Sequence, residues 1–324
     1  MYQTVALPLV ILLGLLNQFC SLSGMNLLLT GISGFLGRHV TAELSLAGCI
    51  QHVISRRPVS HPHLYSVIVH DFMGQGDLAG KMHRPVDAVV HMAHPMGGER
   101  QEQIDFAVKS TQALLDFALG HGVKNFVLVS SLSVFDLAAL PAYALVGAHT
   151  PRLVLDESLP AYAAAKLMQE LLVEQAVATG NINAVILRLG LIYDDRAMSN
   201  AYAGLIRNRI QLGLSHYGQI PLVNAKRAAQ VIVESVSSIA QPGLDIRCVL
   251  DPHPWSMQQY RQALIDRGQL RPHGLSLPWW LIDRLCANAE KVARLTRQEN
   301  KLPELFNPVS RSARLKPLLY WPES

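Results

Sequence analysis

Six short apolar runs punctuate the first 190 residues, and stretches with helical spacing lie between them. Residues 25–30, MNLLLT, carry an apolar run that ends at Thr30-Gly31, as in a strand buried on both faces. A helix is expected over 34–47, then strands over 50–55 and 64–70. A fourth strand is expected over 88–92 and a long helix over 99–119. A fifth strand over 126–130 ends in a serine cluster, a helix follows over 161–179, and a sixth strand over 184–189 ends at Gly190. Beyond Gly190 the pattern loosens; helices are expected over 201–212, 225–239 and 256–266, with a strand over 245–250.

Strands alternating with helices specify an α/β fold, a doubly wound parallel sheet with right-handed crossovers. Ligands of such sheets sit beyond the carboxyl ends of the strands. The pattern places a dinucleotide-binding domain at 25–190 and a smaller, interleaved C-terminal substrate lobe at 191–324. Residues 5–16, VALPLVILLGLL, are apolar but shorter than a membrane span of roughly 20 residues. No Lys or Arg precedes them, and Asn17-Gln18-Phe19-Cys20 is a poor cleavage or lipid-attachment site. Residues 1–24 therefore read as an apolar extension outside the fold, with a membrane-associating leader and an export signal as the alternatives.

Composition narrows the classes. At 324 residues and 50% hydrophobic, the chain can bury a core of good size. The net charge of +4 is spread without long basic runs, which speaks against nucleic acid and suits a phosphate-bearing substrate only weakly. Cys20, Cys49, Cys248 and Cys286 form no C-x-x-C pair, the usage of a reduced, cytoplasmic chain. Peripheral membrane association through residues 1–24 is the exception that reading leaves open.

Gly31, Gly34 and Gly37 follow the first strand and open a helix. Glycines there let the backbone turn tightly and approach a pyrophosphate, and the helix amino terminus, with Phe35 and Leu36 in its first turn, offers free N–H groups. A bare strand-to-helix turn is the plainer alternative. The flanking strand and helix favour a Rossmann dinucleotide site. Where an acidic residue would accept the ribose hydroxyl of NAD, the second strand ends at Ser55-Arg56-Arg57. A guanidinium favours a 2′-phosphate, so NADP is expected, with NAD as the alternative. Two solvated surface arginines are the bland reading. Arg38 stands beside the third glycine, and Asp71 and Phe72 are placed to meet the adenine. His91, Met92 and Ala93 are expected to line the cofactor with backbone. His91 and His94 look like metal ligands only in isolation, and no metal is expected.

Tyr162 and Lys166 stand four residues apart and share a helix face. A cation beside a phenol lowers its pKa from about 10 toward working pH, making Tyr162 a general acid or base. Lys166 can also hold the nicotinamide ribose. One of Ser130, Ser131 and Ser133 can hydrogen-bond the substrate oxygen as charge develops on it. Chance pairing on a helix is the competing reading of any Tyr-x-x-x-Lys, and the serine cluster counts against it.

The stretches TGISGFLGRH, VHDF, DAVVHMA, FVLVSSLSVF, YAAAKLMQE and LRLGLIYDD resemble the extended short-chain dehydrogenase/reductases, the NAD(P)-dependent epimerase/dehydratase family, over about residues 25–250. Tyr320-Trp321-Pro322 is a fainter echo. The resemblance implies that Ser131, Tyr162 and Lys166 are catalytic and that Arg188 lies near the substrate. It also implies a nucleotide-sugar substrate and a homodimer. Leu132 and Ser133 replace the acidic pair of the dehydratases, so elimination of water is rejected. Ala107 stands for a frequent helix asparagine, Phe135-Asp136 for Tyr-Gly, and the aspartate usual within 224–228 is absent. The expected function is NADPH-dependent reduction of a carbonyl on a nucleotide-linked keto sugar or similar small molecule. An epimerase with retained cofactor and a non-catalytic NADP sensor are the alternatives.

Leu281, Leu285, Val292 and Leu295 form one helical stripe beside Trp279 and Trp280. It reads either as a helix packed on the substrate lobe or, with Lys291, Arg294 and Arg297, as a membrane-surface or partner contact. Arg311 and Arg314 either reach a substrate diphosphate or are solvated.

Overall fold

The computed structural model describes residues 22–296, apart from 75, 83, 96, 208–209, 239–242 and 273, and residues 306–320. Seven strands form the main sheet: β1 (Asn26–Thr30), β2 (Ile50–Ser55), β3 (Ser66–Val69), β4 (Ala88–His91), β5 (Asn125–Ser131), β6 (Asn183–Leu189) and β7 (Leu244–Val249). The helices are α1 (Phe35–Leu46), α2 (Arg100–Gly120), α3 (Ala161–Ala178), α4 (Ala225–Ser238), α5 (Met257–Asp266), α6 (Trp279–Leu295) and α7 (Pro308–Leu315).

The spatial order is β7-β6-β5-β4-β1-β2-β3, and every neighbouring pair is parallel. The chain runs outward from β1 through β2 and β3, then returns to place β4 on the other side of β1. That reversal opens a crevice beyond the carboxyl ends of β1 and β4, where open α/β sheets take their ligands. Successive side chains point to opposite faces of a strand. Leu27 and Leu29 of β1 therefore join Val40 and Leu44 of α1 and Ile232 of α4 on one face. Leu28 joins Leu114 and Leu115 of α2 and Val173 of α3 on the other. Each such buried aliphatic side chain contributes roughly 1.5–3 kcal/mol, and Leu28→Ala would cost roughly 2–5 kcal/mol through the void it leaves.

Three expectations about organisation change. The fold begins before Met25: Leu22 is buried against the α1 face of the sheet, and Gly24 N–H donates to Gly48 O at 3.0 Å. The rest of the apolar extension, residues 1–21, lies outside the described residues. Second, the sheet does not end at 190, because β7 supplies its edge and α4 covers its face from beyond that point. Third, the helix expected over 201–212 is a pair of antiparallel strands, Leu205–Arg207 and Ile210–Ser215, the latter parallel to Leu275–Pro278. Leu212 and Leu214 recur with the period of a strand, and Gly204 at φ +100° sits so close to Leu212 O that a Cβ would approach it to 2.2 Å.

The C-terminal lobe has its own core of Met198, Leu214, Ile220, Tyr260, Leu264 and Ile282. In α6, Ile282, Cys286 and Ala293 face inward, whereas Leu285, Val292 and Leu295 of the stripe are exposed. The packed-helix reading holds for α6, but through the neighbouring face, about one residue round the helix. Arg311 of α7 donates to Asp283 Oδ1 and Glu290 Oε2 of α6, both at 2.9 Å, so it fastens the two helices rather than reaching a diphosphate. Leu319–Tyr320 pairs with Leu145–Val146, tying the lobe to the segment that follows β5. Among the described residues, no helix is long and apolar enough to cross a membrane.

Candidate active site

The glycine turn after β1 forms the floor of the crevice. Gly31 adopts φ +79°, and a Cβ there would stand 2.7 Å from Ala93 N, at the end of β4. A Cβ on Gly37 would stand 2.4 Å from Gly31 O. Side chains at either position would push apart β1, β4 and α1. Gly34 N–H closes the turn onto Gly31 O at 3.1 Å. The first turn of α1 has no side-chain cap and no acidic residue, so its N–H groups are free to meet an anion. Gly31, Gly34, Phe35, Leu36 and Gly37 thus fit a dinucleotide pyrophosphate.

The flanking residues divide. Arg56 and Arg57 are exposed beyond β2, open to a ligand. Asp71 is exposed beyond β3, and its Oδ1 accepts Met73 N–H at 3.0 Å. The Phe72 side chain does not face the crevice; it is buried edge-on to His70 and Phe106, leaving only its backbone there. Arg38 is spoken for: Nη2 donates to Asp194 Oδ2 at 2.8 Å. At the end of β4, the N–H groups of Met92 and Ala93 both donate to Thr30 Oγ1 at 3.2 Å. The His91 side chain turns inward and is fully buried.

Across the crevice, β5 ends at Ser131 and α3 begins one residue before Tyr162. Of the three serines, Ser130 Oγ donates to Glu170 Oε1 at 2.5 Å and is committed to the interior. Ser133 Oγ is buried, with no hydrogen-bond partner among the described residues. Ser131 is the serine whose hydroxyl acts on the Tyr162 phenol. Burial raises the Tyr162 phenol above its usual value, and Ser131 pulls the other way. Tyr162 is still 38% exposed, so solvent screens that rise.

Lys166 departs from the expected arrangement. Its ammonium donates to Val129 O at 2.8 Å and Gln169 Oε1 at 3.0 Å, and it is not among the groups that shift Tyr162. Burial pushes Lys166 down to about 8, with Glu170 pulling upward. Arg188 departs further. It is buried, donates from Nε and Nη2 to both oxygens of Glu170, and lies 4.8 Å over the Phe135 ring. A guanidinium enclosed in that way supports the site from behind and does not reach a substrate.

Sequence reasoning missed two participants. Glu170 gathers Ser130, Arg152 and Arg188, and its signal was an acid at i+4 from Lys166. His94 stands edge-on to Tyr162, with ring centroids 4.7 Å apart. Neither of its ring nitrogens has a hydrogen-bond partner among the described residues; the nearby Gln103 amide donates instead to Gly98 O at 3.1 Å. Burial and the Lys166 charge push His94 down to about 4, so it is a neutral imidazole. Among the described residues, no group of three or more His, Cys, Asp or Glu side chains could hold a metal ion.

Known proteins resemble the chain at several levels. The solved structure of gox2253 covers 91% of this chain and 89% of its own, with a TM-score of 0.68 at 17% identity. MoeE5 in complex with UDP-glucose and NAD covers 78% of this chain and 85% of its own, at TM-score 0.60 and 20% identity. UDP-N-acetylglucosamine 4-epimerase from Bacillus cereus covers 79% and 86%, at TM-score 0.55 and 19% identity. At those identities the likeness is one of fold. Uncharacterized oxidoreductase C513.07 of Schizosaccharomyces pombe is 29% identical over 129 residues, 35% of this chain and 38% of the relative, so the match spans little more than a third of that protein. The model of the NAD dependent epimerase/dehydratase family matches residues 27–227, well over half of the chain, and takes in the glycine turn, Ser131, Tyr162 and Lys166. The chain belongs to the NAD dependent epimerase/dehydratase family.

Proposed function

We propose that this protein is an NADPH-dependent reductase of a carbonyl on a small molecule, with a nucleotide-linked keto sugar as the substrate class. The observation that carries the reading is the Ser131–Tyr162 hydroxyl pair, set beside Lys166 across the crevice from an uncapped helix amino terminus. Gly31 and the first turn of α1 hold the pyrophosphate, Arg56 and Arg57 the 2′-phosphate, and Lys166 the nicotinamide ribose. A bound reduced nicotinamide supplies the hydride to the carbonyl carbon. Ser131 donates a hydrogen bond to the carbonyl oxygen as negative charge gathers there. Tyr162 gives that oxygen its proton and, being partly exposed, regains one from water. His94 walls the phenol on its other side. The described cysteines Cys49, Cys248 and Cys286 form no disulfide with one another, which supports a reducing, cytoplasmic setting.

A second reading has one observation in its favour: among the solved neighbours is a UDP-N-acetylglucosamine 4-epimerase. Epimerisation would use the same hydroxyls, with Tyr162 first taking and then returning a proton while the cofactor stays bound.

The full chain incubated with NADPH and a panel of UDP-sugars and their 4-keto derivatives separates the readings. A gain of two hydrogens with matching NADPH loss is the reductase, and a changed retention time at constant mass without net cofactor use is the epimerase. Tyr162→Phe is expected to abolish turnover while NADPH still binds. Normal turnover by that variant would sink both readings.

A further inference from the structure

Behind the crevice, a chain of buried polar groups runs from the lysine of α3 to the end of β1. Gln169 is fully buried, and its oxygen accepts from Lys166 Nζ at 3.0 Å. Its amide nitrogen is therefore a donor, and the atom it meets is His91 Nε2 at 2.9 Å. His91 Nε2 is then an acceptor, which puts the ring proton on Nδ1, 2.8 Å from Thr30 Oγ1. Thr111 Oγ1, at 3.2 Å, also faces Nε2. Thr30 Oγ1 in turn takes the N–H groups of Met92 and Ala93, the backbone that faces the crevice. The Gln169 amide selects that tautomer; the Thr30 hydroxyl on the other side can accept or donate.

We propose that Gln169 and His91 are positioning residues that hold the Lys166 ammonium in register with the cofactor-facing ends of β1 and β4. The inference rests on the reading of Lys166 given under the proposed function. Three features support it. Lys166 Nζ has two protein acceptors, Val129 O and Gln169 Oε1, and Gln169 is the one joined to the rest of the network. The titratable groups that interact with it are Glu170 on its own helix and His91 and His94 from the end of β4. Both imidazoles are neutral, pushed down to about 3 and about 4, and Glu170 is balanced by Arg188 and Arg152. Gln169 thus meets the ammonium with an uncharged acceptor, and burial is left to govern its basicity.

That arrangement gives position 169 a charge-sensitive signature that a packing role lacks. Burial disfavours a cation, whereas a carboxylate within hydrogen-bond reach favours it. Gln169→Glu keeps the acceptor for Lys166 and adds the charge while giving up the amide donor to His91; Gln169→Leu keeps the bulk and removes both. The probe is NADPH, its affinity for the full-chain variants measured by fluorescence from pH 6 to pH 10, with Lys166→Met as reference. Wild-type affinity is expected to fall as pH rises through the Lys166 value of about 8. Gln169→Leu is expected to weaken NADPH at pH 7 by about tenfold, the size of one lost hydrogen bond. Gln169→Glu is expected to move the alkaline fall up by about one pH unit. If Gln169→Leu does not fold, the direction of the Gln169→Glu shift decides alone. An unmoved or lowered alkaline fall in Gln169→Glu, with Lys166→Met still losing affinity, overturns this inference and leaves the role of Lys166 standing. Lys166→Met binding NADPH and turning over normally overturns that role and the inference with it.

Discussion

Arg188 grips both carboxylate oxygens of Glu170, from Nε at 3.0 Å and Nη2 at 2.7 Å, in surroundings closed to solvent. Pairs of that kind are costly to break from one side, because the partner is left charged in the interior. Arg188→Met leaves Glu170 with Ser130 and Arg152 alone. A loss of roughly 3–5 kcal/mol in unfolding free energy is expected from denaturant titration. An unchanged midpoint together with a raised KM would return Arg188 to the substrate.

Stability should fail toward acid. Burial holds His91 at about 3, and His94 and His216 at about 4, against an ordinary 6.5. The unfolded chain therefore binds more protons than the folded one below pH 6.5. The contribution of these groups is complete above that pH and is lost as pH falls through about 4. Melting temperatures measured from pH 7.5 to pH 4 are expected to drop, and His94→Phe should make the drop shallower. A flat profile in the wild type would contradict the neutral, buried imidazoles.

The proposed preference for NADPH rests on two exposed guanidiniums. Arg56→Ala combined with Arg57→Ala is expected to weaken NADPH by about a hundredfold, the loss of charge-assisted bonds to a phosphate, and to leave NADH within about threefold. Equal losses for the two dinucleotides would remove the 2′-phosphate assignment.

The two apolar faces of α6 should answer differently to mutation. Ile282→Ala removes a fully buried side chain and is expected to cost roughly 2–5 kcal/mol. Leu285→Ala, at a residue 49% exposed, is expected to stay within about 0.5 kcal/mol. The reverse order would mean that the stripe is covered in solution.

These faces also show where sequence reading runs out. Ile282, Cys286 and Ala293 follow a helical period as well as Leu281, Leu285, Val292 and Leu295 do, so periodicity predicts the helix and cannot choose its inner side. The main sheet was legible because its central parallel strands, covered on both faces, are mostly apolar, and the glycine turn because a positive φ and close backbone approach leave few alternatives. The spacing of Tyr162 and Lys166 places them on one side of a helix, and the helix is there. The direction of the Lys166 head was not legible, since it follows from Val129 O and Gln169 Oε1 in the folded chain. Arg188 was misplaced for the same reason: β6 gives its position along the sheet, and only the fold brings Glu170 beneath it. At 201–212, strand pairing with Leu275–Pro278 overrode a helical reading of an apolar segment.

The outermost strand has a consequence for synthesis. β7 pairs with β6 from Leu244↔Ala184 to Val249↔Leu189, so about 60 residues of lobe separate the two partners. A chain emerging from the ribosome at roughly 5–20 residues per second can lay down β1 to β6 as it appears, yet it waits several seconds for β7. Through that interval β6 presents an unpaired backbone edge, and the sheet face that α4 will cover is only partly dressed. Production of residues 190–249 is the stretch in which a neighbouring nascent chain can take the place of β7.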